Sequence, residues 1–99
     1  MYQATTVHGV TPLFIACLKG HGSIVEALLG RGADVNQATT DTGATPLIIA
    51  CNYHHTSCVQ LLVRARADLA LSVRGQTPLD VASSKGFTDI VAVIESCSP

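Results

Sequence analysis

Three copies of Gly-x-Thr-Pro-Leu-x-x-Ala run through the chain, at residues 9–16, 43–50 and 75–82, and their spacing leaves few folds open. Thr45 follows Thr11 by 34 residues, and Thr77 follows Thr45 by 32. A period of that size means small units, none able to bury its apolar faces alone, that stack to share one core. It also moves the question from what the chain catalyses to what it binds.

Within each copy the Thr-Pro pair reads as a helix start. Thr11, Thr45 and Thr77 can cap with their hydroxyls, and a proline at the first helical position loses no hydrogen bond. Leu13, Ala16 and Cys17 then share one face, as do Leu47, Ala50, Cys51 and Leu79, Ala82, Ser83. Gly20-His21-Gly22 ends the first helix. A second helix follows with Ile24, Val25, Leu28 and Leu29 on one face, matched by Cys58, Val59, Leu62, Val63 and by Ile90, Val91, Ile94. Gly30-Arg31-Gly32 closes it. The segment from Ala33 to Gly43 reads as an extended turn or hairpin projecting from the helix pair.

Composition narrows the function. The chain is 47% apolar and only 13% charged, against roughly 25% charged in an ordinary soluble domain, so it has little charge to spare for a fully solvated surface. A net charge of −1 sets up no field for nucleic acid or acidic lipid. No run of apolar residues is long enough for a membrane span, and residues 1–6 lack the charged start and apolar core of a signal peptide. The cysteines stand at 17, 51, 58 and 97 without a Cys-x-x-Cys, and Cys17 and Cys51 fill one slot of successive units. A slot that wants a small side chain accounts for them, which points to reduced thiols in an intracellular, cytoplasmic protein.

Thr-Pro-Leu-x-x-Ala, then Gly-His, then Ile-Val-x-x-Leu-Leu, then Gly-Ala-Asp-Val-Asn resembles the ankyrin repeat, and the likeness covers almost the whole chain. The resemblance implies an all-α repeat solenoid, with stacked antiparallel helix pairs and β-hairpin fingers. We expect one domain over residues 1–99, with repeats at about 7–38, 41–70 and 73–97. Residues 3–6 (Gln-Ala-Thr-Thr) recur at 37–40, and the first unit carries Phe14, Ile15 and Leu18 without the polar residues of a cap. A longer array, or an array docked on flanking domains, is therefore expected.

The chain also departs from the family. Phe14, Ile48 and Asp80 stand where histidine usually follows Thr-Pro-Leu, which removes that histidine's usual contact with the threonine. His54 fills the helix-ending slot of Gly20 and Gly86, and Arg66 that of Gly32. A side chain held at positive φ costs about 1 kcal/mol or more, so the middle unit should be the most strained. On that basis His54→Gly or Arg66→Gly should raise the melting temperature.

Members of this family usually bind partners on the concave face, at the finger tips and the open side of the first helices. Carried over slot by slot, that selects Val7, His8, Val10, Leu18 and Lys19 in the first unit. The second contributes Asp41, Thr42, Ala44, Asn52 and Tyr53, and the third Val73, Arg74, Gln76, Ser84 and Lys85. Tyr53 beside Asn52 stands out, because a tyrosine offers rigid contact area with one polar tip. Most of the fifteen are expected merely to be solvated, since under a third of interface residues usually matter.

Chemical readings fare worse. Asp41-Thr42-Gly43-Ala44 matches the signature of retroviral-type aspartic proteases, but Ala38-Thr39-Thr40 precedes it in place of an apolar strand. Cys51, His54, His55 and Cys58 could form a zinc cluster, yet both cysteines occupy core slots of the repeat and His55 matches His21. Asp80 and Asp89 are single acids placed to serve helix dipoles or solvent. No cofactor and no catalysis are expected. The reading is a non-catalytic scaffold or adaptor that binds another protein, neither nucleic acid nor membrane. Its alternatives are a substrate-recruiting or regulatory segment of a larger enzyme, such as a kinase or ubiquitin ligase, and a plain spacer.

Overall fold

A computed structural model describes residues 10–40 and 42–96; Val7, His8, Asp41 and Cys97 lie outside them. Six helices follow in order among the described residues: α1 (Pro12–Lys19), α2 (Gly22–Gly30), α3 (Pro46–Asn52), α4 (Thr56–Arg64), α5 (Pro78–Ser84) and α6 (Thr88–Ser96). They pair as α1/α2, α3/α4 and α5/α6. First helices pack on first helices and second on second, so α3 and α4 are held on both sides.

Each first helix begins as its Thr-Pro requires. The hydroxyl of Thr11 accepts from the Phe14 amide at 3.1 Å, that of Thr45 from Ile48 at 3.2 Å, and that of Thr77 from Asp80 at 3.2 Å. In the third unit Asp80 answers in kind, its carboxylate accepting from the Thr77 amide at 3.0 Å to complete a capping box. Thr11 and Thr45 are buried, so the cap also satisfies a hydroxyl that would otherwise be stranded in the core.

Leu13, Cys17, Leu47, Ala50, Cys51, Cys58, Val59, Leu62, Ala82 and Ile90 form the centre of one continuous core. Burial pushes the Cys17 and Cys51 thiols up to about 12, and raises that of Cys58 as well. These thiols stay protonated and behave as small apolar side chains. One expectation needs correcting here. Ile24 was counted on the buried face of α2 but is 49% exposed, whereas Cys58 and Ile90 in the same slot are fully buried. Ile15 likewise is 42% exposed where Val81 is 7%. In the first unit both side chains stay open to solvent among the described residues.

The finger connections are turns rather than strands. Among the described residues no strand forms, and β pairing is limited to an antiparallel bridge between Val73 and Gln76. Their amides donate to each other's carbonyls at 2.9 and 3.0 Å, with Arg74 at φ 55° and Gly75 at φ 80° between them. Two successive positive φ values mark the tight turn that matches strand twist. In the preceding finger, Thr39 closes a longer loop by donating its amide to the Ala44 carbonyl at 3.0 Å. The loops that lead into the fingers begin with matched Asp turns: Asp34 accepts from the Asn36 amide and Asp68 from Ala70, each at 2.9 Å.

His54 (φ 61°) and Arg66 (φ 66°) do adopt the left-handed backbone that their glycine slots imply. They are not equivalent, however. The His54 ring stacks on Phe87 at 4.1 Å and 9°, and its Nε2 donates to both Asp89 carboxylate oxygens at 3.0 and 3.1 Å. These contacts offset the strain, so His54→Gly is not expected to stabilise, contrary to the reading from sequence. Arg66 is exposed, and its side chain has no hydrogen-bond or ion-pair partner among the described residues. Arg66→Gly is expected to raise stability by about 1 kcal/mol, seen as a higher urea midpoint at unchanged slope.

Candidate protein-binding groove

The groove is built where the fingers meet the first helices. The Thr39–Ala44 loop delivers Thr42, the tight turn delivers Val73, Arg74 and Gln76, and α3 and α5 supply Ile48, Ile49, Asn52 and Val81. Together with Ala44 they enclose about 330 Å³. That sits at the low end of the ~300–1,000 Å³ typical of ligand sites, enough for one large side chain or a short stretch of chain. The floor is aliphatic and the rim polar.

Of the residues selected from sequence, Thr42, Ala44, Asn52, Val73, Arg74 and Gln76 are brought together here. Ala44 is 8% exposed and, like Ile48 at 6% and Val81 at 7%, contributes only a narrow strip of the groove wall. Its amide donates to the Thr39 hydroxyl at 3.2 Å, which holds the loop shut. Tyr53 is 53% exposed at the end of α3, its ring 6.4 Å from that of His55 and inclined by 26°. Lys19 and Lys85 are exposed at the ends of α1 and α5. Val10 is half-buried, and so is Leu18, whose carbonyl accepts from His55 Nε2 at 3.0 Å. Ser84 donates its hydroxyl to the Val81 carbonyl at 3.1 Å. Val7, His8 and Asp41 fall outside the described residues.

Reasoning by slot did not select Ile48, Ile49 and Val81, which line the groove although Ile48 and Val81 also belong to the core. Ile48 sits where the family usually has histidine, and that apolar departure was the available signal.

The chemical candidates come apart in space. Cys51 and Cys58 are fully buried in the core, His54 is engaged with Asp89, and His55 with the Leu18 carbonyl. Among the described residues no three His, Cys, Asp or Glu side chains gather as metal ligands. Asp89 is a structural acceptor. The Thr56 hydroxyl donates to it at 2.7 Å, and this bond, then the one from His54, holds its carboxyl below the usual carboxylate range.

The architecture is a row of stacked helix pairs joined by projecting loops, which defines a repeat solenoid. The family model described as "Ankyrin repeats (3 copies)" matches residues 37–97, and the one described as "Ankyrin repeat" matches residues 8–40. The chain belongs to the ankyrin repeat family, whose domains generally bind other proteins and are typically non-catalytic. No curated protein matches it. No helix among the described residues is long and apolar enough to cross a membrane.

Proposed function

We propose that this chain is a non-catalytic scaffold that takes a protein partner on the surface formed by its finger turns and first helices. The observation that carries the reading is the groove itself, where residues from two fingers and two helices meet over an aliphatic floor. Asn52 lines the groove and Tyr53 follows it at the end of α3, where a half-exposed tyrosine is well suited to concentrate binding energy. The buried, protonated thiols agree with a reducing, intracellular setting.

The test is affinity capture with wild type beside an Asn52→Ala/Tyr53→Ala variant, quantified partner by partner. At least one partner is expected to fall about tenfold or more with the variant, as truncation of an interface hot spot does. Equal capture of every partner by both proteins would overturn the concave-surface reading and favour a spacer.

A further inference from the structure

The groove also has a chemical polarity. We infer that its partner is a protein segment carrying a large aliphatic side chain with an aspartate or glutamate a few residues away. This rests on the concave-surface reading above and specifies its ligand.

Two observations set the requirement. Ile48, Ile49 and Val81 make an aliphatic floor in a space of about 330 Å³, which suits one branched side chain and offers nothing to a fully polar segment. Among the described residues Arg74 is the only charged one lining that space, and its guanidinium has no hydrogen bond or ion pair with any of them. It is presented from a tight turn at φ 55°, a conformation in which any side chain other than glycine, asparagine or aspartate is uncommon. A planar guanidinium with five free donors beside an apolar cleft matches a carboxylate.

The surrounding charges agree. Lys19 and Lys85, which the repeat places on the same surface, are exposed cations. Asp80, at the start of α5, is turned back onto the Thr77 amide. Asp41, in the neighbouring finger sequence, lies outside the described residues. Among the described residues of this surface the cations Lys19, Arg74 and Lys85 outnumber the acid Asp80, although the chain as a whole is at −1. A nucleic-acid strand would supply anions but nothing to fill the aliphatic floor.

The experiment is a selection from a displayed library of random 12-residue peptides on the wild-type chain. Enriched sequences are then synthesised, and their Kd is measured by fluorescence anisotropy. The expected peptides carry Leu, Ile or Val within about three residues of an acid. Arg74→Glu should weaken them at least tenfold, Arg74→Lys should keep most of the affinity, and replacing the peptide acid by lysine should restore binding to the glutamate variant. Arg74 is exposed and unpartnered, so each variant should melt as wild type does. Selected peptides without acids, or with equal affinity for wild type and Arg74→Glu, overturn this inference. If such peptides still lose affinity for the Asn52→Ala/Tyr53→Ala variant, the concave-surface reading stands and only the acidic requirement falls. If neither variant weakens them, both fall. A library without enrichment overturns the peptide inference and leaves the capture experiment to judge the wider reading.

Discussion

Gly20→Ala is expected to lower the unfolding free energy by about 2–4 kcal/mol, although it adds a single methyl group on the surface of a turn. Two effects combine. Gly20 sits at φ 76°, where any Cβ is strained by about 1–2 kcal/mol. That Cβ would also lie 2.6 Å from His55 Nδ1 and 2.7 Å from its Cε1, so the imidazole must move. Moving it breaks the bond from Nε2 to the Leu18 carbonyl, which joins the first unit to the second. Gly86 is the internal control, with φ 74° and nothing within 4 Å of its added Cβ. Gly86→Ala should show the strain alone, about 1 kcal/mol. In urea titrations the gap between the two isolates the clash, and Gly20→Ala combined with His55→Ala should cost less than the sum of the single changes. Equal effects at Gly20 and Gly86 would sink this account of the contact between units.

The second large effect belongs to Leu62. This side chain is fully buried in α4, between α2 and α6, and Leu62→Ala should cost about 2–5 kcal/mol. A domain this small holds only about 5–15 kcal/mol in all, so the loss takes a large share of it. Leu28 is the same residue in the same slot one unit earlier, but it is only partly buried. Leu28→Ala should cost no more than about half as much, because less apolar area leaves water when the unit folds. Chemical denaturation followed by circular dichroism compares the two directly. A cost at Leu28 equal to that at Leu62 would mean that burial in this row is not set by the neighbours.

That comparison explains which parts of the molecule could be read from its sequence. The Thr-Pro caps, the helix pairs and the left-handed positions of His54 and Arg66 depend on residues within a few positions of each other, and all were legible. Ile15 and Ile24 were not. Their slots match those of Val81 and Ile90 in sequence, and the difference in exposure arises only from the packing of the folded stack. The groove divides the same way. Its rim, from Thr42 to Gln76, follows from slot position, whereas Ile48, Ile49 and Val81 become a floor only when two fingers and two helices converge. The His54 contacts reach Phe87 and Asp89 across 33 and 35 positions, a pairing that no local pattern announces. The finger hairpins are not confirmed: among the described residues their β pairing is the Val73–Gln76 bridge, because a short polar segment is equally compatible with loops that close on themselves.

The bonds between units lie along two opposite edges of the stack. At the turn edge, His55 holds the Leu18 carbonyl and His54 holds Asp89. At the edge from which the fingers project, Asn36 Oδ1 accepts from the Asp68 amide at 2.8 Å. Helices of seven to nine residues separate the two edges, a lever arm of about 10–14 Å. Where Asn36 and Asp68 join two units at one margin and His55 and Leu18 join the same two at the other, fanning open or closed must stretch one of the bonds. Rotation of successive units about the long axis stretches neither and is the least opposed deformation. The spacing between fingers is thereby mechanically set before any partner arrives, so little ordering cost falls on the scaffold when the groove is filled.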